Sequence, residues 1–192
     1  MDAEPTISVM RSALVWLCLL LAGCAAVEQQ PVPVGPIGDA FYLSGRVSVK
    51  YGAEAASGKI SWQHGPASDD LLISTPLGQG VAHIERRDAL FSLTTSDQKL
   101  YQAGDVETLT QQALGWRLPL AGLSDWVRGR AAAGVPAQAR LDDSRRLAEL
   151  RQSGWLVEYL AYNSGNGLPA RLRLSRDEVD IRLVIDQWRG EP

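Results

Sequence analysis

Cysteine and histidine are scarce in this chain, with two of each among 192 residues. Cys18 sits inside an apolar run and Cys24 directly after it, so removal of that run would leave a single cysteine and no disulfide. A cysteine metal site is excluded on the same ground. His64 and His83 fall in separate strand-like segments with no third ligand nearby in sequence, so no metal is expected. Concentrated positive charge is missing too: 19 basic against 22 acidic residues and a pI near 5.4 argue against nucleic acid as a partner. The pairs Arg128 with Arg130 and Arg145 with Arg146 read as solvated or loop charges. There is no G-x-S-x-G elbow, no G-x-x-x-x-G-K-[ST] phosphate loop and no H-E-x-x-H pair. No catalytic residue, nucleotide or cofactor is therefore expected, and the chain does not read as an enzyme.

What is present is a short apolar run over residues 13–21, closed by Leu21-Ala22-Gly23-Cys24. The run is too short to span a bilayer and ends in the small residues a signal peptidase needs. A cysteine immediately after the cut is what a lipoprotein peptidase requires, so Cys24 is the expected lipidation site and residues 1–23 the signal peptide. Asp2 and Glu4 suit a cationic leader poorly, whereas a start at Met10 places Arg11 directly before the apolar stretch. Ala25 follows the cysteine where aspartate would signal retention in the inner membrane, which favours the outer membrane.

Residues 24–39 form the acylated cysteine and a tether: Pro31, Pro33, Pro36, Gly35 and Gly38 leave neither helical nor strand periodicity. A single domain is expected over residues 40–192. Phe41, Leu43, Val47 and Val49 alternate with Ser44, Arg46, Ser48 and Lys50, predicting a strand over 41–50 with a bend or bulge at Gly45. Shorter strand patterns cover 59–63, 71–75, 81–85, 89–94 and 99–102, close enough together for an antiparallel meander. Asp105 then caps a helix carrying Val106, Leu109 and Ala113 on one face and stopping at Gly115. A second amphipathic stretch has Leu120, Leu123 and Val127 and ends at Gly129. Strands resume over 146–150, 155–162, 170–174 and 179–185.

About ten strands flanking a helical insertion predict a mostly β fold: one antiparallel sheet that curls into an incomplete barrel over the helices. Any space the helices leave would be an apolar cavity, although a fully packed core gives the same pattern.

Five segments then carry a more specific signal. Thr75-Pro76-Leu77-Gly78-Gln79, Leu114-Gly115-Trp116-Arg117-Leu118-Pro119-Leu120, Leu123-Ser124-Asp125-Trp126-Val127-Arg128-Gly129, Gly154-Trp155-Leu156-Val157-Glu158-Tyr159 and Ile185-Asp186-Gln187-Trp188 together resemble the LolB family in order and spacing, from about Phe41 to Trp188. The resemblance implies an outer-membrane lipoprotein facing the periplasm, with a half-barrel sheet over about three helices and an apolar cavity. It also implies that acylated lipoproteins are accepted from the periplasmic carrier LolA and passed to outer-membrane lipid without nucleotide. A monomer is expected.

Pattern alone leaves Leu77, between Pro76 and Gly78, either projecting into water or folded back onto the sheet edge. The family's exposed loop leucine falls on this position, so the resemblance makes Pro76, Leu77 and Gly78 the membrane-insertion loop. Trp62, Trp126, Trp155 and Trp188 are candidates for the cavity wall, with ordinary core packing the alternative. Arg46, Arg171 and Arg173 are expected to face solvent. The competing functional reading is a structural or assembly lipoprotein whose packed β domain docks other envelope proteins and binds no acyl chain.

Overall fold

The computed structural model describes residues 38–190. The expected signal peptide, the alternative start at Met10, Cys24 and the tether as far as residue 37 lie outside the described residues.

Alternating sequences become one antiparallel sheet. Its first half is a meander: β1 (Phe41–Tyr51), β2 (Glu54–His64), β3 (Ser68–Ser74), β4 (Gly80–Arg87), β5 (Leu90–Thr95) and β6 (Leu100–Ala103). Two helices follow, α1 (Val106–Leu114) and α2 (Leu120–Trp126), and then β7 (Ala137–Leu141), β8 (Leu147–Gln152), β9 (Trp155–Tyr162), β10 (Pro169–Arg176) and β11 (Val179–Gly190). The strand order is β6-β5-β4-β3-β2-β1-β11-β10-β9-β8-β7, so the first and last strands in sequence pair at the middle while β6 and β7 remain free edges. The sheet is not closed. Among the described residues there are eleven strands and two helices, one strand more than the sequence pattern predicts and fewer helices than the family resemblance implies. Neither helix is long and apolar enough to cross a membrane.

The extra strand is β7, whose five residues are all exposed. It has no buried face to generate an apolar period, and it exists because its backbone pairs with β8.

A bulge at the centre of the sheet sets the core. The β1–β11 register pairs Ser44 with Gln187 and Gly45 with Ile185, leaving Asp186 as the extra residue. That insertion shifts the inward parity, so Ile185 and Trp188 both point into the core although three positions apart. Gly45 is required opposite it: a Cβ there would lie 2.0 Å from the Val184 carbonyl oxygen. Asp186 turns outward and accepts two hydrogen bonds from Arg46.

The helices lie on the inner face. Asp105 caps α1 by accepting from the Thr108 N–H at 2.8 Å, and Gly115 ends it in the left-handed region at φ 82°. This helix packs against β5 and β6. At the other side α2 is held by Trp126, whose indole N–H donates to Gln152 of β8 at 2.7 Å and whose carbonyl accepts from Tyr159 of β9. A single apolar cluster therefore includes residues of both sheet halves and both helices.

Candidate functional site

The turn between β3 and β4 is built by backbone geometry. The Gly78 N–H donates to the Thr75 carbonyl at 2.9 Å, the Thr75 N–H donates to the Gln79 carbonyl at 2.8 Å, and Gly78 has φ 90°. Proline suits the second position of such a turn and glycine the left-handed fourth. Leu77 at its tip is 92% exposed.

Among the described residues two more turns have the same construction. At 95–99 the Gln98 N–H donates to Thr95, the Thr95 N–H to Lys99, and Gln98 has φ 64°. At 142–146 the Arg145 N–H donates to Asp142, the Asp142 N–H to Arg146, and Arg145 has φ 61°. Their tips are Ser96-Asp97 and Asp143-Ser144. Turn geometry thus makes no demand for an apolar tip. Leaving a leucine out of the core forfeits about 1.5–3 kcal/mol of burial, so the Pro76-Leu77 tip is a feature the fold does not explain.

Beside this turn lies an apolar cleft. Val47 and Val49 of β1, Ala55 to Gly58 of β2, Ile73 and Ser74 of β3, and Val81 and Ala82 of β4 face Leu114 and Trp116 across about 250 Å³. Ser74 and Val81 flank the turn, so the cleft and Leu77 share one corner of the sheet. A smaller space of about 30 Å³ continues beneath, where Val47, Val49, Ile73 and Trp116 meet Leu118, Leu123, Leu174, Ile181 and Leu183. Trp116 lines both and is positioned by its neighbours. Gly115 turns the chain, the Leu118 N–H donates to the Thr110 hydroxyl at 2.9 Å, and Gln111 donates to the Gly115 carbonyl.

The four tryptophans named from sequence all sit in the core. The indole N–H of Trp62 donates to Asp69, that of Trp126 to Gln152 and that of Trp188 to the Pro169 carbonyl. The indole N–H of Trp155 has no partner. None of the four lines the cleft or the space beneath it. The cleft is lined by Trp116 and by small and branched residues of β1–β4, which sequence reasoning did not single out for a cavity. Their signal was available in the apolar parity of β1 and in the Leu-Gly-Trp segment.

Charged groups depart from expectation at two places. Arg128, read as a solvated charge, has a side chain only 5% exposed. It donates to the carbonyls of Ser124 and Gly38, pairs with Asp125 and Asp39, and lies over the Phe41 ring. Arg130 joins the same carboxylates. Asp39 is accordingly held below the usual carboxylate range, chiefly by the hydrogen bond from Arg130. His83 does acquire acidic neighbours, because strand pairing brings Asp70 and Glu85 to it with ligand atoms within 4.8 Å of one another. Within this group His83 hydrogen-bonds Asp70 at 3.0 Å, and Glu85 pairs with Arg87. Arg46, Arg171 and Arg173 lie on the outer face as expected, with Arg46 and Arg173 paired to acids on β11.

The family model "Outer membrane lipoprotein LolB" matches residues 39–188. Two relatives carry the name outer-membrane lipoprotein LolB: one from Thiobacillus denitrificans, 42% identical over 94% of this chain and 96% of its own length, and one from Nitrosomonas europaea, 39% identical over 94% and 93%. A solved structure titled as a LolA superfamily protein from Nitrosomonas europaea shares the fold at a TM-score of 0.52, with 10% identity over 83% of this chain and 89% of its own. Sequence likeness across the whole described domain, joined to an unclosed antiparallel sheet over two helices, shows that the chain belongs to the LolB family.

Proposed function

We propose that this protein is anchored in the outer membrane through acylated Cys24 with its domain in the periplasm, and that it takes acylated lipoproteins from the carrier LolA and passes them to the membrane. The acyl chains lodge under the curved sheet, beginning at the cleft formed by β1–β4 and Trp116. Pro76, Leu77 and Gly78 form the part that enters the bilayer. The observation that carries this reading is the exposed apolar tip beside an apolar cleft, on a turn whose two geometric counterparts are polar.

The energetics favour such a device. Three acyl chains of about fourteen methylenes represent on the order of 30 kcal/mol of apolar transfer at ~0.8 kcal/mol per methylene. Exposure of that surface to water is prohibitive, whereas exchange between two apolar sites is close to neutral and final entry into lipid is downhill. No nucleotide is needed. At 250 Å³ the cleft is below the range of about 300–1,000 Å³ typical of ligand pockets. Loading therefore requires Leu114 and Trp116 to move off the sheet, opening the space beneath. One chain suffices for this, consistent with action as a monomer.

Transfer of a purified acylated lipoprotein from its carrier to a soluble Cys24→Ala form is the direct test, with a fluorescent fatty acid as competitor. A docking protein with a packed interior would accept neither. Leu77→Glu is expected to retain folding and uptake while losing most insertion into vesicles, since about 2 kcal/mol of apolar contact is exchanged for a buried charge. Insertion equal to that of the unaltered protein would remove Leu77 from the mechanism.

A further inference from the structure

The apolar cleft has one polar end. On β1 and β2 the register pairs Val47 with Gly58, Val49 with Ala56 and Tyr51 with Glu54, and all six residues line the cleft. Val47 and Val49 pack against the core, and residues directly opposite on an antiparallel pair share a face. Tyr51 and Glu54 therefore project from the inner face, in line with the apolar rows beneath them. Tyr51 stands four residues from Val47, about 14 Å along the strand, next to the turn at Gly52. Both members of this last row are exposed, which makes them the mouth.

The Glu54 carboxylate is uncompensated. Among the described residues it enters no ion pair and no hydrogen bond. The Glu178 carboxylate adds to its charge, since a Cβ at Gly52 would lie 3.7 Å from the Glu178 Oε2. Lys50, next to Tyr51 in sequence, has outer-face parity. Across the sheet Tyr51 pairs with Val179, and Val179 with Arg176, so Arg176 is three strands from Glu54. That is about 14 Å, beyond the Debye length at about 0.1 M salt. Arg176 also lies 4.0 Å from Glu107 and 3.7 Å from Asp177, and Arg117 beside Trp116 faces the same Glu107.

We infer that Glu54 is a specificity residue, which keeps phosphate-bearing lipids out of the cleft and admits acyl chains whose head carries no charge. The inference rests on the proposed lodging of acyl chains in this cleft. An apolar wall cannot tell the chains of a lipoprotein from those of a phospholipid, because their methylenes are the same. Only the heads differ. Acylation of its amine leaves the lipid-bearing cysteine of a lipoprotein uncharged, whereas a phospholipid carries an anionic phosphate. A protein working against a bilayer meets phospholipid in large excess, and an unpaired charge set against that competitor supplies the discrimination. A chain seated over Val47 and Val49 brings its head to the last row. There the Tyr51 hydroxyl can donate to an ester or amide carbonyl, while the Glu54 carboxylate repels phosphate.

The test uses the soluble Cys24→Ala form and a pair of probes that differ only in the phosphate, monopalmitoylglycerol and its phosphate monoester, each titrated calorimetrically as a monomer. The readout is the ratio of their affinities. Glu54→Gln is expected to move this ratio about fivefold toward the phosphate lipid, as for one charge at a partly solvated site, and Glu54→Lys to move it further. At about 1 M salt the forms are expected to converge, because screening then acts within ~3 Å. Asp143→Asn, which removes an equal charge at the β7–β8 turn, is expected to leave the ratio where it was. One common ratio in the unaltered, Gln and Lys forms, with both lipids bound, would overturn the role of Glu54 and leave the acyl cleft standing. A shift reproduced by Asp143→Asn would also overturn it, as an effect of net charge alone. Binding of neither lipid to the unaltered form would overturn the cleft reading as well.

Discussion

Asp69 shows how much one side chain can organise. It is buried on β3 and accepts hydrogen bonds from the Trp62 indole, the His64 ring and the Arg86 guanidinium. Arg86 continues to the carbonyls of Gly65 and Pro66, so the carboxylate ties β4 to the β2–β3 turn. Burial alone would raise the Asp69 carboxyl, but the bonds from His64, Arg86 and Trp62 outweigh it and hold the group below its usual range. Its folded value being depressed, the stability it contributes is complete above the unfolded value of about 4 and is lost as pH falls through the folded one. Asp69→Asn is expected to destabilise the domain by about 2 kcal/mol at pH 7, because it takes the carboxylate charge from the bonds that His64 and the part-buried Arg86 make to this position. It should also flatten the fall in urea midpoint between neutral and acidic pH. A variant that keeps the same acid sensitivity would show that other carboxylates dominate. None of this was legible in the sequence, where His64 is an isolated histidine. Arg128 was misread for a similar reason: its partners Gly38 and Asp39 lie about ninety positions away and meet it only after the sheet forms.

Elements whose two faces differ were the legible ones. The residue 105–115 helix came with both its caps, since Asp105 and Gly115 are chemical punctuation as well as pattern, and α2 came from three apolar residues on one face. Strands with alternating burial were read to within a few residues. The failures share one property, a lack of anything apolar to bury. β7 is exposed throughout, and β2 begins at Glu54 with a run of small exposed residues that the pattern omits until Lys59. The Gly45 bulge was readable as an irregularity, but its purpose, bringing Ile185 and Trp188 to the same side, required the register. Gly45→Ala places a methyl against the Val184 carbonyl and is expected to cost about 2–3 kcal/mol by denaturant unfolding. A loss of only a few tenths of a kcal/mol would mean that the bulge can migrate along β11.

At the scale of the molecule, family membership and fold agree, and the exposed Leu77 turn and the apolar cleft converge on one corner of the sheet. The Leu77 turn could be placed from Pro76 and Gly78, but its full exposure could not, because a leucine at a turn folds inward as readily as outward. Nor could periodicity reveal which residues line the cleft, since Trp116 and the buried tryptophans have the same hydrophobic character. The cleft makes a separate prediction. Val49→Trp, which fills the space between β1 and Trp116, is expected to lower fluorescent fatty-acid binding by at least about tenfold, equivalent to ~1.4 kcal/mol, with little change in stability. Unchanged affinity would move the acyl site away from this corner.

The free edges at β6 and β7 have one further consequence. A closed barrel is a hoop, and widening it means tearing rungs from the ladder. This sheet is a cuff. No strand pairing joins its two margins, so prising them apart ruptures none, and every backbone amide between β6 and β7 keeps the partner it already has.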